Sequence, residues 1–160
     1  MKNIFSWMLV CVVLATLTTS CKKDDEFDPE QLVSLMTSNY WEGMNTEQRK
    51  EFGSFVDKGS KSYVVMRFDR AGKSMSGQGR QLEFDGPYYN TLETQSNFSW
   101  KLEGEIVTIF YQQPGWTTVT FNLREAQLTN NTFRGFMFVQ DDHRYVYDYV
   151  KSSFSNWDKY

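Results

Sequence analysis

The chain is poor in the residues that most often carry chemistry: its 160 residues hold two cysteines, three prolines and a single histidine. Cys11 lies inside an apolar N-terminal run and Cys21 closes it. The domain that follows therefore has no thiol, which excludes a disulfide framework, a thiolate nucleophile and a cysteine-ligated metal site. The lone histidine stands in Asp141-Asp142-His143, where adjacent side chains do not converge on a metal, and it reads as part of a solvated turn. No Gly-x-Ser-x-Gly, His-Glu-x-x-His or phosphate-binding loop occurs. Gly77-Gln78-Gly79 lacks the third glycine of a dinucleotide fingerprint, because Leu82 holds that place. The pair reads instead as a bulge or a sharp bend within a strand. Basic residues number 17 against 20 acidic ones, with no basic stripe of the kind nucleic acid requires. A glycosidase-type carboxylate pair assembles only in the fold and leaves no motif. On the motifs present the chain reads as non-enzymatic, with no cofactor and no metal.

Residues 2–26 are organised in three parts. Lys2 gives a positive start, Ile4 to Leu17 run without charge, and Thr18-Thr19-Ser20 precede Cys21. This is the layout of a signal peptide. The run of about 14 residues spans roughly 21 Å as a helix, short of the roughly 30 Å hydrocarbon core of a bilayer. Thr18 to Cys21 resembles the lipobox of bacterial lipoproteins, in which the cysteine is lipidated and becomes the first mature residue. Where that box carries a branched apolar residue, three before the cysteine, this chain has Thr18, with Leu17 one place further back; looser boxes of this form occur among Bacteroidetes lipoproteins. Lys22-Lys23-Asp24-Asp25-Glu26 resembles the lysine-plus-acidic export tag that these bacteria place after the lipidated cysteine. Its composition is equally that of a solvated tether. The resemblance implies attachment to outer-membrane lipid through Cys21 and display toward the cell exterior. The alternative is a secreted protein cleaved near Ser20.

The organisation that follows is a signal peptide at 1–20, a lipidated cysteine and charged tether at 21–28, and one domain at 29–160. About 140 residues suffice for one core that needs no covalent staples. Aromatic residues make up 17% of the chain, so that core leans on packed rings. Asp28-Pro29-Glu30-Gln31 starts a short helix to about Met36, with Asp28 as cap and Leu32, Leu35 and Met36 as its apolar stripe. Tyr40 to Met44 reads as a first strand, and Asn45 to Ser60 as a loop with a helical turn. Val64, Met66 and Phe68 alternate in the next strand, which ends in the Arg70-Ala71-Gly72-Lys73 turn. Phe98, Trp100 and Leu102 alternate before a Glu103-Gly104 turn and an apolar strand over Ile106 to Tyr111. Strands over 116–124, 133–140 and 144–150 follow, with turn residues between them.

Sequential hairpins at this spacing predict an all-β, antiparallel up-and-down barrel of about eight strands with a short N-terminal helix, since closure removes exposed edges. The pattern resembles the lipocalin-like lipoproteins of Bacteroidetes. The residues that carry the resemblance are Trp41 after a short helix, the Asp69 to Gly72 turn, Phe98-Ser99-Trp100 with its following strand, and Phe133-Arg134-Gly135. Asn39 departs from the glycine that lipocalins place two before the first tryptophan. The resemblance implies a cup that holds a small apolar or amphipathic ligand, and a late arginine, Arg144, packed over Trp41. Tyr145, Tyr147 and Tyr149 share one strand face and, with Trp41 and Trp100, are the candidate cup lining. Tyr88, Tyr89 and Trp116 follow Gly-Pro and Pro-Gly turns and are candidates for a surface that meets a protein or glycan partner. Phe154, Trp157 and Tyr160 are expected to pack on the barrel.

Overall fold

The computed structural model describes residues 27–89, 91–112 and 118–160. The segment read as a signal peptide, Cys21, the charged cluster that follows it and Trp116 lie outside the described residues.

One helix, α1 (Pro29–Ser38), precedes nine strands: β1 (Tyr40–Glu51), β2 (Ser54–Arg70), β3 (Ser76–Phe84), β4 (Leu92–Glu103), β5 (Ile106–Tyr111), β6 (Val119–Asn122), β7 (Gln127–Leu128), β8 (Thr132–Gln140) and β9 (His143–Lys151). They form one antiparallel sheet in the order β6-β5-β4-β3-β2-β1-β9-β8, and Thr120 on β6 pairs with Phe138 on β8 to close it. Eight strands thus make a closed up-and-down barrel, and the two-residue β7 adds a short pairing to β8. This is the up-and-down barrel that the strand spacing predicts, and its architecture is lipocalin-like, as the resemblance implies.

Aromatic rings fill the end of the barrel where β1 begins. Phe133 lies at their centre, with ring centroids 4.9 Å from Tyr147, 5.5 Å from Trp41 and 5.6 Å from Phe121. These contacts are edge-on, the geometry favoured by the ring quadrupole. Helix α1 closes this end. Pro29 occupies its first turn, Asp28 Oδ1 accepts the Gln31 N–H at 3.1 Å, and Val33 and Met36 are fully buried on the core. The Trp41 indole N–H donates to the Met36 carbonyl at 2.9 Å, fastening helix to barrel. The buried stripe is Val33 and Met36, with Leu32 packed at its side.

The β2–β3 wall is buried on both faces, which is why Val64-Val65-Met66 is an unbroken apolar run. Outside it, Val65, Leu82 and Phe84 are covered by Phe154 and Trp157 of the C-terminal segment, with Tyr160 beside them. The expected packing of those three rings on the barrel is therefore found.

Three expectations are corrected. Residues 45–60 are not a loop with a helical turn: β1 and β2 run on as a paired hairpin to Glu51 and Ser54. Apolar alternation stops because the far end of this hairpin meets water and a polar interior, while backbone pairing continues without it. Gly77 and Gly79 mark no bulge, since both sit in a regular ladder opposite Trp100 and Phe98. They give the rings room: a Cβ on Gly79 would lie 2.1 Å from the Phe98 ring, and one on Gly77 would lie 1.8 Å from the Asp69 carbonyl oxygen. Arg144 does not cover Trp41. Gln48 pairs with Arg144 while Trp41 pairs with Lys151, seven steps along the same ladder and so roughly 23 Å apart. On the outer wall the Arg144 guanidinium lies between the rings of Phe55 and Phe136, at 3.9 and 4.0 Å.

Candidate functional site: the polar cup

Strand alternation carries the inward face from the aromatic floor to the opposite end, and there its chemistry changes. On β1 the inward series Trp41, Gly43 reaches Asn45, and on β3 Gly77, Gly79 reaches Gln81 and Glu83. On β5, Val107, Ile109 reaches Tyr111, and on β9 Tyr149, Tyr147 reaches Tyr145 and His143. With Ser62, Lys61, Glu93 and the apolar Val119, Met137 and Val139, these residues line a cavity of about 400 Å³. The barrel is packed at one end and hollow at the other.

A directed set of hydrogen bonds organises the cup. The Tyr111 hydroxyl donates to Gln81 Oε1 at 2.6 Å, which turns the Gln81 amide nitrogen toward Glu83 Oε1 at 2.5 Å. Burial holds the Glu83 carboxyl above its ordinary value, with the Gln81 bond opposing and Glu93 adding to the rise. At the base of the cup the Tyr149 hydroxyl donates to Asn45 Oδ1 at 2.6 Å. Buried Ser96, which faces inward opposite Gln81, has a hydroxyl with no hydrogen-bond partner. Burial raises the Tyr145 hydroxyl, with Glu47 and Glu83 adding to the effect.

His143 is another correction. It opens β9 and is only 9% exposed, so it belongs to the cup rather than to a solvated turn. Its Nε2 lies 3.2 Å from Glu47 Oε1 without hydrogen-bond alignment, and Glu47 Oε1 instead accepts from Arg49 Nε at 2.9 Å. Burial first, and the Arg49 charge second, lower the His143 pKa, so the imidazole is neutral at physiological pH. Among the described residues, no group of His, Cys, Asp and Glu side chains is placed to hold a metal ion.

Of the candidate lining residues, Tyr145 faces the cavity, while Trp41, Trp100, Tyr147 and Tyr149 form the packed floor beneath it. The Trp100 indole N–H is shared by the Asp69 and Gln78 carbonyls, both at 3.1 Å. Tyr147 is 1% exposed, and its hydroxyl, without a partner among the described residues, backs an outer groove of about 380 Å³ between β8 and the β6–β7 turn. Tyr88 projects from its loop at 81% exposure. Its neighbour Tyr89 folds onto the wall, 5.0 Å from the Phe154 ring, and donates its hydroxyl to Glu42. Asn45, Gln81, Glu83, Ser96, Tyr111 and His143 are functional candidates that motif reading misses. Their signal is parity: each continues the inward register of an apolar strand but is polar.

These features define a closed, lipocalin-like β-barrel with an aromatic floor and a polar cup, an architecture suited to holding one small ligand. No protein-family model matches the sequence, and no curated protein matches it.

Proposed function

We propose that the chain is a lipid-anchored protein of the outer membrane, facing the exterior, that binds a small amphipathic ligand in the barrel cup and catalyses no reaction. The observation that carries the binding reading is the cavity itself. Its wall pairs fixed polar groups (Gln81, Glu83, Tyr111, His143) with an apolar side of Val119, Met137 and Val139, the composition of a site that orients a ligand by a few polar contacts. That mixture favours an amphipathic ligand over a wholly apolar one. The membrane reading rests on the sequence pattern from Lys2 to Glu26, and the resemblance to Bacteroidetes lipoproteins on that pattern together with the short motifs of the barrel strands.

Thermal unfolding of the chain against fatty acids, bile acids, aromatic amines and oligosaccharides tests the binding reading. A ligand at about 100 times its dissociation constant stabilises by roughly 2.7 kcal/mol, which moves the midpoint by several degrees. The expected result is a shift with one amphipathic class that disappears in Val139→Trp, whose indole fills the cup. A shift that survives Val139→Trp refutes the cup as the site. Replacement of Cys21 by Ala, followed by fractionation, tests the anchor: the variant is expected to leave the membrane fraction.

A second reading is supported by exposed rings at two loop tips, Tyr88 and the fully exposed Phe52 of the β1–β2 turn. On this reading the chain is an accessory subunit that meets a protein or glycan. Its signature is an oligosaccharide-induced shift that survives Val139→Trp and is lost in Tyr88→Ser or Phe52→Ser.

A further inference from the structure

The charge arrangement in the cup narrows the ligand class, on the premise that the cup is the binding site. Glu83 and Glu93 both line the cavity. The ion pairs of the described residues join other partners, and neither of these carboxylates takes part in one. Lys61, exposed at the rim, is the one lysine or arginine among the lining residues described, and His143 is neutral. The Tyr111-to-Gln81 bond also fixes the direction of the network. Tyr111 spends its proton on Gln81, and Gln81 spends an amide hydrogen on one oxygen of Glu83. Among the described residues no group donates a hydrogen bond to the second Glu83 oxygen, and the partly desolvated charge is left uncompensated, a costly state for a carboxylate. Tyr145 lines the same cavity, and ring faces attract cations. Ser96 Oγ and His143 Nε2 are buried in the same interior without hydrogen-bond partners among the described residues.

We propose that the cup selects a small amphipathic amine, its ammonium on the free oxygen of Glu83 and its hydrocarbon body against Val119, Met137 and Val139. An anionic ligand would instead face two carboxylates, and a neutral one would leave Glu83 uncompensated.

Isothermal titration of the full chain with three probes of matched shape, 2-phenylethylamine, 2-phenylethanol and 3-phenylpropanoate, separates these cases. The amine is expected to bind at least about tenfold more tightly than the alcohol. Glu83→Gln, its folding confirmed by an unchanged or raised unfolding midpoint, is expected to bring the amine down to the affinity of the alcohol. Equal affinity for amine and alcohol, or a preference for the amine that persists in Glu83→Gln, overturns the proposal. If the alcohol or the carboxylate binds better and Val139→Trp abolishes that binding, the amine assignment fails while the cup reading stands. If none of the three binds, the amine assignment fails and the stability panel decides the cup.

Discussion

Tyr147 and Tyr149 are two residues apart on β9, share its inward face and are both buried, yet their hydroxyls are in opposite situations. Tyr149 donates to Asn45, and Tyr147 has no partner. Removing one member of a buried pair leaves the other unsatisfied, so Tyr149→Phe is expected to cost about 1–3 kcal/mol in urea unfolding. Tyr147→Phe is expected to leave stability unchanged or raise it, and to leave ligand binding in the cup intact. Glu83 gives a pH-dependent prediction. Its folded-state pKa lies above the ordinary value of 4.5, so the folded chain holds its proton longer than the unfolded chain does. Stability is then lost as pH rises above the unfolded value. Glu83→Gln should raise the unfolding midpoint at about pH 7 and leave it nearly unaltered at about pH 2.5, far enough below the unfolded value that the wild-type carboxyl is protonated in both states. Alternation alone showed that the three β9 tyrosines share a face. It did not show that the barrel interior divides into floor and cup between Tyr147 and Tyr145, because that depends on position along the barrel axis, which one strand does not encode.

The β1–β2 hairpin shows the same division between what is and is not legible. The β4–β5 hairpin is plain in the sequence because one face is dry, and its register, Trp100 opposite Ile109 and Glu103 opposite Ile106, follows the apolar alternation. The outer half of β1–β2 has no dry face, so its pairing is invisible to hydrophobic periodicity. Its turn is also written in unusual residues. Phe52 and Gly53 have φ of 51° and 86°, the two positive values of a type I′ turn, where Asn-Gly is the favoured pair. A phenylalanine there carries a left-handed backbone penalty of about 1–2 kcal/mol, and this side chain recovers nothing by burial. Phe52→Asn is therefore expected to stabilise the chain by about 1 kcal/mol, read as a higher urea midpoint at constant slope. A loss of stability would show that the ring has contacts in solution that this account lacks.

At the scale of the molecule, the barrel carries two separate aromatic clusters, one inside the floor and one outside the β2–β3 wall. The outer cluster exists because the C-terminal segment folds back over Val65, Leu82 and Phe84. Fully burying a side chain of this kind contributes about 1.5–3 kcal/mol, so deleting residues 152–160 is expected to lower the unfolding midpoint sharply and to expose an apolar wall that self-associates. Calorimetry and light scattering on the truncated chain would show both effects. Among the described residues helix α1 closes one end of the barrel and the polar cup lies at the other, and the central claim is that a ligand enters at the cup end. The most direct test is a two-dimensional NMR titration of the full chain with the panel member that most raises its unfolding midpoint. Shifts concentrated on Asn45, Gln81, Glu83, Tyr111, His143 and Tyr145 are the predicted result. Shifts confined to Phe52 and Tyr88, or to the outer groove at Phe136 and Val146, with the cup residues unmoved, would contradict it.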